Sequence, residues 1–218
     1  LLATTHELNS PLAGIKLNLQ TLQREEISKQ QANQMVTSGL KNVSRLEGLI
    51  QNILMASRID SGKLSVDSSA VNLSQVINES LTKHQLQLED AKVSIEPLKE
   101  NQHLIKGDKR SLEIILGNLI SNACKYAKES DVNFNLSTSG KYIELRYSDN
   151  GPGVPADYTS TIFNKFFRVE NEETRSQKGT GLGLYLVKEL VHLQRGKITA
   201  HNLQPHGLEI KLLFERYE

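Results

Sequence analysis

Two glycine-rich segments offer the clearest chemistry in this 218-residue chain: Asp149-Asn150-Gly151-Pro152-Gly153 and Gly179-Thr180-Gly181-Leu182-Gly183-Leu184. Glycine reaches backbone angles closed to other residues and lets bare N–H groups approach phosphate oxygens. The second segment opens a helix-patterned run, whose first-turn donors and positive dipole end suit an anion. Neither ends in Gly-Lys-Ser/Thr, so neither is a P-loop. Asn118, Asn122 and Lys125 recur at i, i+4 and i+7 and therefore share one helical face. Amide oxygens are hard ligands suited to Mg²⁺ that stays bound to triphosphate and water, and Lys125 would neutralise phosphate charge. The bland alternatives are turns for the glycines and a solvated face for the helix. Asn is a poor helix former, so its use twice at this spacing argues for a role. His6 is the remaining candidate, a nucleophilic imidazole beside an apolar seam. Glu7 follows it and could accept the ring proton or fix the tautomer. Pro11 removes the helical partner of the Glu7 carbonyl, which predicts a bend nearby.

The elements that must position these residues come in two kinds. Leu1, Leu8, Ile15 and Leu22, with Thr5, Leu12 and Leu19 between them, form a seam of a and d positions. After a turn within residues 23–34, Val36, Gly39, Val43, Leu46, Ile50 and Ile53 repeat the pattern up to a stop at Gly62. Such a hairpin needs two more helices to close a core, and a second copy supplies them, so a dimeric four-helix bundle is expected. Packing against the rest of the chain is the alternative. Residues 65–70 read as a linker. Beyond it the spacing predicts a strand at 71–73, a helix at 74–89, a strand at 92–98 and a helix at 108–127. A hairpin of strands at 132–138 and 142–148, a helix to about residue 194, and strands at 197–201 and 208–214 complete the pattern. This is an α+β sandwich with helices on one face of a sheet. The stretch of roughly 30 residues after Asp149 is too long for a structural connection and reads as a lid.

Composition narrows the function. The formal net charge is +1, no Lys/Arg run occurs and Trp is absent, so nucleic acid is not an expected partner. One cysteine, Cys124, lies in an apolar helical run and reads as a buried filler. No stretch approaches the roughly 18 apolar residues of a membrane span, so this fragment should make no direct membrane contact. The sequence opens inside a helical pattern, as a fragment would.

Taken together, the segments resemble sensor histidine kinases of two-component signalling. His6-Glu7-Leu8-Asn9-Ser10-Pro11-Leu12 is similar to the H box, residues 118–126 to the N box, and Asp149 to Gly153 to the first G box. Phe163-Asn164-Lys165-Phe166-Phe167-Arg168 is similar to the F box, and Gly179 to Leu184 to the second G box. All five stand in family order. The resemblance implies a dimerisation and histidine-phosphotransfer hairpin at 1–64, a linker at 65–70 and a GHKL-type ATP-binding domain at 71–218, of the kind shared with Hsp90, MutL and gyrase. It makes His6 the phosphoacceptor and Glu7 its acid/base partner. Asn122, with Asn118 nearby, becomes the Mg²⁺ ligand, and Lys125 and Tyr126 face ATP. Asp149 would accept from the adenine amino group while Gly151 and Gly153 let the backbone pass beneath the base. Gly179, Gly181 and Gly183 would border the phosphates, with Lys178, Thr180, Leu182, Leu184 and Arg168 also at the nucleotide. Phe163, Phe166 and Phe167 would anchor the lid, ordinary core aromatics being the alternative. The implied partners are a second copy of the chain and the receiver domain of a response regulator. The implied setting is the cytoplasmic portion of a larger, membrane-anchored sensor.

The chain departs from the family pattern at two places: Asn9 stands where Arg is usual, and Ser10 where Thr is usual. Asn9 cannot supply a cation to the γ-phosphate or to a neighbouring carboxylate. Ser10 keeps the hydroxyl of the Glu7-x-x-Ser10 quartet, which resembles the motif that orients water in members that also dephosphorylate their partner. Two rivals stay open at this point. One is a phosphotransfer scaffold with a degenerate ATP domain; the other is a clamp or serine kinase on the same ATP fold.

Overall fold

The computed structural model describes residues 2–23, 27–96, 98, 103–169 and 179–217, and their side chains except at positions 2–4 and 6. Helices α1 (Leu2–Leu22) and α2 (Lys29–Asp60) form the hairpin. Pro11 sits inside α1, and helix is assigned on both sides of it. The second helix starts earlier than expected, inside the predicted turn, because Ser28 and Gln31 make a capping box: the Ser28 Oγ accepts from the Gln31 N–H, and the Gln31 side chain accepts from the Ser28 N–H. Leu12, Leu19, Val36, Leu40, Val43, Ile50 and Leu54 remain exposed along the hairpin.

Strand β1 (Ser69–Asn72) opens within the stretch read as linker and pairs antiparallel with β2 (Leu104–Gly107), a strand the sequence pattern did not predict. The helix expected at 74–89 is two, α3 (Leu73–Lys83) and α4 (Gln85–Ala91), broken at His84. The strand expected at 92–98 is reduced, among the described residues, to a single parallel bridge between Ser94 and Asp131. Helix α5 (Lys109–Tyr126) begins where Asp108 accepts from the Ser111 N–H at 2.8 Å. The main sheet runs β3-β4-β6-β5, all antiparallel, from β3 (Val132–Ser139), β4 (Tyr142–Asp149), β5 (Lys197–Asn202) and β6 (Leu208–Glu215). Helix α6 (Gly183–Leu193) packs with α5 on that sheet.

The core lies between these layers. Ile143, Leu145 and Tyr147 on β4 stand opposite Phe214, Leu212 and Ile210 on β6, all buried. Against them sit Ile115, Leu116, Leu119, Ile120, Val187, Leu190 and Val191 from the helices. With side chains alternating along a strand, the inward row of β4 ends at Asp149, which delivers a carboxylate to the rim of an otherwise apolar layer. The α+β sandwich is thus as expected, and its geometry sets the site.

Candidate functional site

Asp149 is 7% exposed and fully engaged on one oxygen. Its Oδ1 accepts from the Gly151 N–H at 3.0 Å and the Leu208 N–H at 3.3 Å, while Oδ2 accepts from the Tyr147 hydroxyl at 2.7 Å. A carboxylate oxygen has two lone pairs, so Oδ2 retains one acceptor position. Burial first, and the adjacent Asp149 carboxylate second, push the Tyr147 phenol well above its usual range, which keeps it a donor.

The glycine turns pack against the other segments. A Cβ on Gly151 would sit 2.8 Å from the Tyr126 carbonyl oxygen, so the first turn lies on the end of α5. A Cβ on Gly183 would sit 2.9 Å from Asn118 Oδ1, which lies under the start of α6, while Asn118 Nδ2 donates to the Ile114 carbonyl at 2.8 Å. Gly181 has φ +70° and its missing Cβ would fall 2.7 Å from backbone atoms of Phe166 and Phe167. The Phe166 N–H donates to the Gly181 carbonyl at 3.0 Å. Phe166 itself holds φ +63°, an uncommon angle for a bulky residue. Leu182 precedes α6, and among the described residues no side chain caps the first turn of that helix.

A second cluster joins the hairpin to this layer. Glu7 is 6% exposed. Its Oε2 accepts from Arg45 of α2 at 2.7 Å, and Arg168 reaches Oε1 at 3.5 Å. Lys125 is held below the usual lysine range by burial first, then by repulsion from Arg45, against the pull of Glu7. Further along α2, Asp60 accepts from the Tyr185 hydroxyl at 2.6 Å and pairs with Lys165. Lys165 first and Tyr185 second hold the Asp60 carboxyl below the usual range. Ala56 of α2 packs beside Leu182 and Leu186, both wholly buried.

The expected site residues therefore converge, with distinctions. Asn118, Asn122, Lys125 and Tyr126 are half-buried along α5, and Gly151, Gly181 and Gly183 touch that helix or the Phe166–Phe167 turn. Gly153 (φ +71°) lies against Asn202, which pins the loop through its amide to both polar groups of Val154. Thr180 is buried and its Oγ1 accepts from the Leu182 N–H at 3.4 Å, while Gly179 and Leu184 are half-buried nearby. Phe163 is core; Phe167 is half-buried, edge-on to Tyr158 at 5.3 Å. Asn9 is exposed and Ser10 half-buried. His6 lies in α1, and its side chain and all of Lys178 fall outside the described residues. Sequence reasoning missed Arg45, Tyr147 and Asn202, none of which belongs to a glycine or asparagine pattern.

Known proteins resemble the chain over both of its parts. A family model described as histidine kinase-, DNA gyrase B-, and HSP90-like ATPase matches residues 107–218, and the His Kinase A (phospho-acceptor) domain matches residues 2–62. Hybrid signal transduction histidine kinase D of Dictyostelium discoideum is 29% identical over 215 residues, 95% of this chain and 14% of that protein. Sensor protein kinase WalK of Staphylococcus aureus is 26% identical over 210 residues, 94% of this chain and 50% of that protein. The chain thus spans half or less of the length of these curated relatives. Among solved structures, histidine kinase AdeS of Acinetobacter baumannii shares the fold with a TM-score of 0.76 at 21% identity, covering 98% of each chain. The mycobacterial sensor histidine kinase MprB matches 69% of this chain and 98% of its own at 26% identity, with a TM-score of 0.59. One model covers the helical hairpin, another the ATP-type sandwich behind it, and relatives align across both: the chain belongs to the sensor histidine kinases of two-component signalling.

Proposed function

We propose that this chain transfers the γ-phosphate of ATP to His6 and that the group passes on to an aspartate of a response-regulator receiver domain. The observation that carries this reading is the convergence of Asn118, Tyr126, Gly151, Gly181 and Gly183 on one rim, joined to Glu7 through Arg168. Asp149 Oδ2 would take the adenine amino group, and the uncapped start of α6 the phosphates. One imidazole nitrogen attacks the γ-phosphorus while the bond to the departing ADP oxygen breaks. Glu7 takes up or orients the proton on the other nitrogen. Phosphoryl transfer needs alignment and charge neutralisation above all, and Lys125 and Arg168 supply charge from the ATP side.

Asn122 and Asn118 fit Mg²⁺: both are half-buried on one face of α5, and the Asn118 oxygen is turned toward α6 because its nitrogen is committed to Ile114. When bound there, the ion would neutralise triphosphate oxygens. The exposed row of Leu12, Leu19, Val36, Val43, Ile50 and Leu54 supports a homodimer through the hairpin. Glu7 and Ser10 also support removal of phosphate from the regulator. The greater length of the relatives supports a catalytic portion of a larger sensor, while its membrane anchor and the cytoplasmic setting of this part rest on the family resemblance alone. None of the described helices is long and apolar enough to cross a membrane.

Incubation with labelled ATP tests the reading. Acid-labile label on the wild type and none on His6→Gln, with nucleotide binding kept in that variant, is the expected result. Acid-stable label, or label on His6→Gln, would overturn it.

A further inference from the structure

We propose that Arg45 is the positioning residue for Glu7, taking from α2 the part that Asn9 cannot play; this rests on the role for Glu7 given above. Three facts lead there. Glu7 is buried to 6% exposure, and a carboxylate so placed is costly unless a cation and hydrogen bonds meet it. The residue two positions on is the uncharged, exposed Asn9, so α1 offers no cation at that position. Among the described residues the closest cation is Arg45, at 2.7 Å, in the range of a charge-assisted hydrogen bond, whereas Arg168 stands at 3.5 Å, beyond a well-formed one.

The two arginines differ in what carries them. Arg45 belongs to the same hairpin as Glu7, and Arg168 to the segment between β4 and α6. Arg45 therefore fixes Glu7 whether or not nucleotide is present, and Arg168 adds to it from the ATP side. A carboxylate held by a planar guanidinium presents its free oxygen in one direction, which a mobile ammonium enforces less well. Arg45 touches neither nucleotide nor the reacting atoms in this assignment. It acts through Glu7.

The experiment compares label transfer to the full chain at varied ATP for wild type, Arg45→Met, Arg45→Lys and Lys41→Ala, and repeats Arg45→Met in a Glu7→Gln background. Lys41 is an exposed cation on the same helix, paired with Asp90 at 3.6 Å, and controls for lost charge. Arg45→Met should lower the rate at saturating ATP by about 10- to 100-fold, short of the roughly 100- to 10,000-fold that a placed acid or base contributes because Glu7 itself remains, with KM for ATP unchanged. Arg45→Lys should recover part of that loss, Lys41→Ala should label as wild type, and in the Glu7→Gln background Arg45→Met should add no further loss. Thermal melting identifies any variant that fails to fold, in which case the Arg45→Lys rate carries the comparison. A wild-type rate in Arg45→Met, a rise in KM alone, or a loss of equal size with and without Glu7 would overturn the assignment. Absence of acid-labile label on wild-type His6 would instead overturn the kinase reading and take this inference with it.

Discussion

The Tyr147 hydroxyl donates to Asp149 Oδ2 at 2.7 Å from two residues back on the same strand, and both side chains are almost wholly buried. The bond fixes which lone pair of Asp149 is left for a ligand. Tyr147→Phe keeps the shape and removes the donor, so it should cost about 1.5–3 kcal/mol of folding stability, as for a hydrogen bond to a charged group. ATP binding should weaken as well, while the transfer rate at saturating ATP stays as in wild type. Urea unfolding and titration with a fluorescent nucleotide check both; unchanged affinity would remove Tyr147 from the adenine site.

Gly181 and Gly48 make a matched pair. At Gly181, with φ +70° and backbone atoms 2.7 Å from the missing Cβ, alanine should cost about 1–3 kcal/mol from backbone strain alone and more from overlap. At Gly48, inside α2 with nothing within 4 Å, alanine should instead stabilise by about 0.5–1 kcal/mol. Chemical denaturation of the two variants should give shifts of opposite sign.

Lys125 gives a pH signature. In the free protein its pKa is depressed, mainly by burial, so it loses its proton as pH rises through that lowered value. Bound triphosphate favours the charged form and restores the pKa, so the complex holds the proton to higher pH. Affinity for ATP should therefore fall as pH rises between the two values, with proton uptake on binding in that window. Lys125→Arg cannot lose its charge and should flatten the slope. Calorimetry in buffers of different ionisation heat measures the uptake, and a slope of the same size in Lys125→Arg would refute the assignment.

The contact between Asp60, Lys165 and Tyr185 should resist neutral and mildly acidic pH. The Asp60 carboxyl is lowered by Lys165 first and Tyr185 second, so the contact is fully present above the ordinary carboxylate value of 3.8 and is lost only as pH falls through the depressed one. Asp60→Asn at neutral pH should let the hairpin and the sheet layer separate, seen as a larger radius in X-ray scattering. An unchanged radius would mean that the packing of Ala56 on Leu182 and Leu186 suffices.

Much of this was legible in the chain itself. Periodicity places α5 and α6 because each has a wide apolar stripe that is largely buried, and the alternating runs at 132–138 and 142–148 place the hairpin of β3 and β4, whose turn is Gly140-Lys141. The short β2 escapes because four residues carry too few alternations to stand out, and its pairing with β1 is a long-range fact. The break at His84 escapes because the apolar spacing continues through it; the ring nitrogen Nδ1 lies 2.8 Å from the Ser80 carbonyl, an interaction that no period reports. The capping box at Ser28 was readable and went unread. In the site, glycines and asparagines announce themselves by type, but Arg45 and Tyr147 gain meaning only from what stands opposite them. Glu7 and Arg45 are 38 residues apart in the chain.

That one carboxylate is gripped from two sides has an energetic consequence for motion. The transfer proposed above requires the nucleotide-holding layer to reach His6 and withdraw; withdrawal would take Arg168 away, yet Glu7 would keep a cation because Arg45 belongs to its own hairpin. The parting forfeits the longer, weaker contact and spares the short one. The pairing that places Glu7 would thus outlast each such withdrawal.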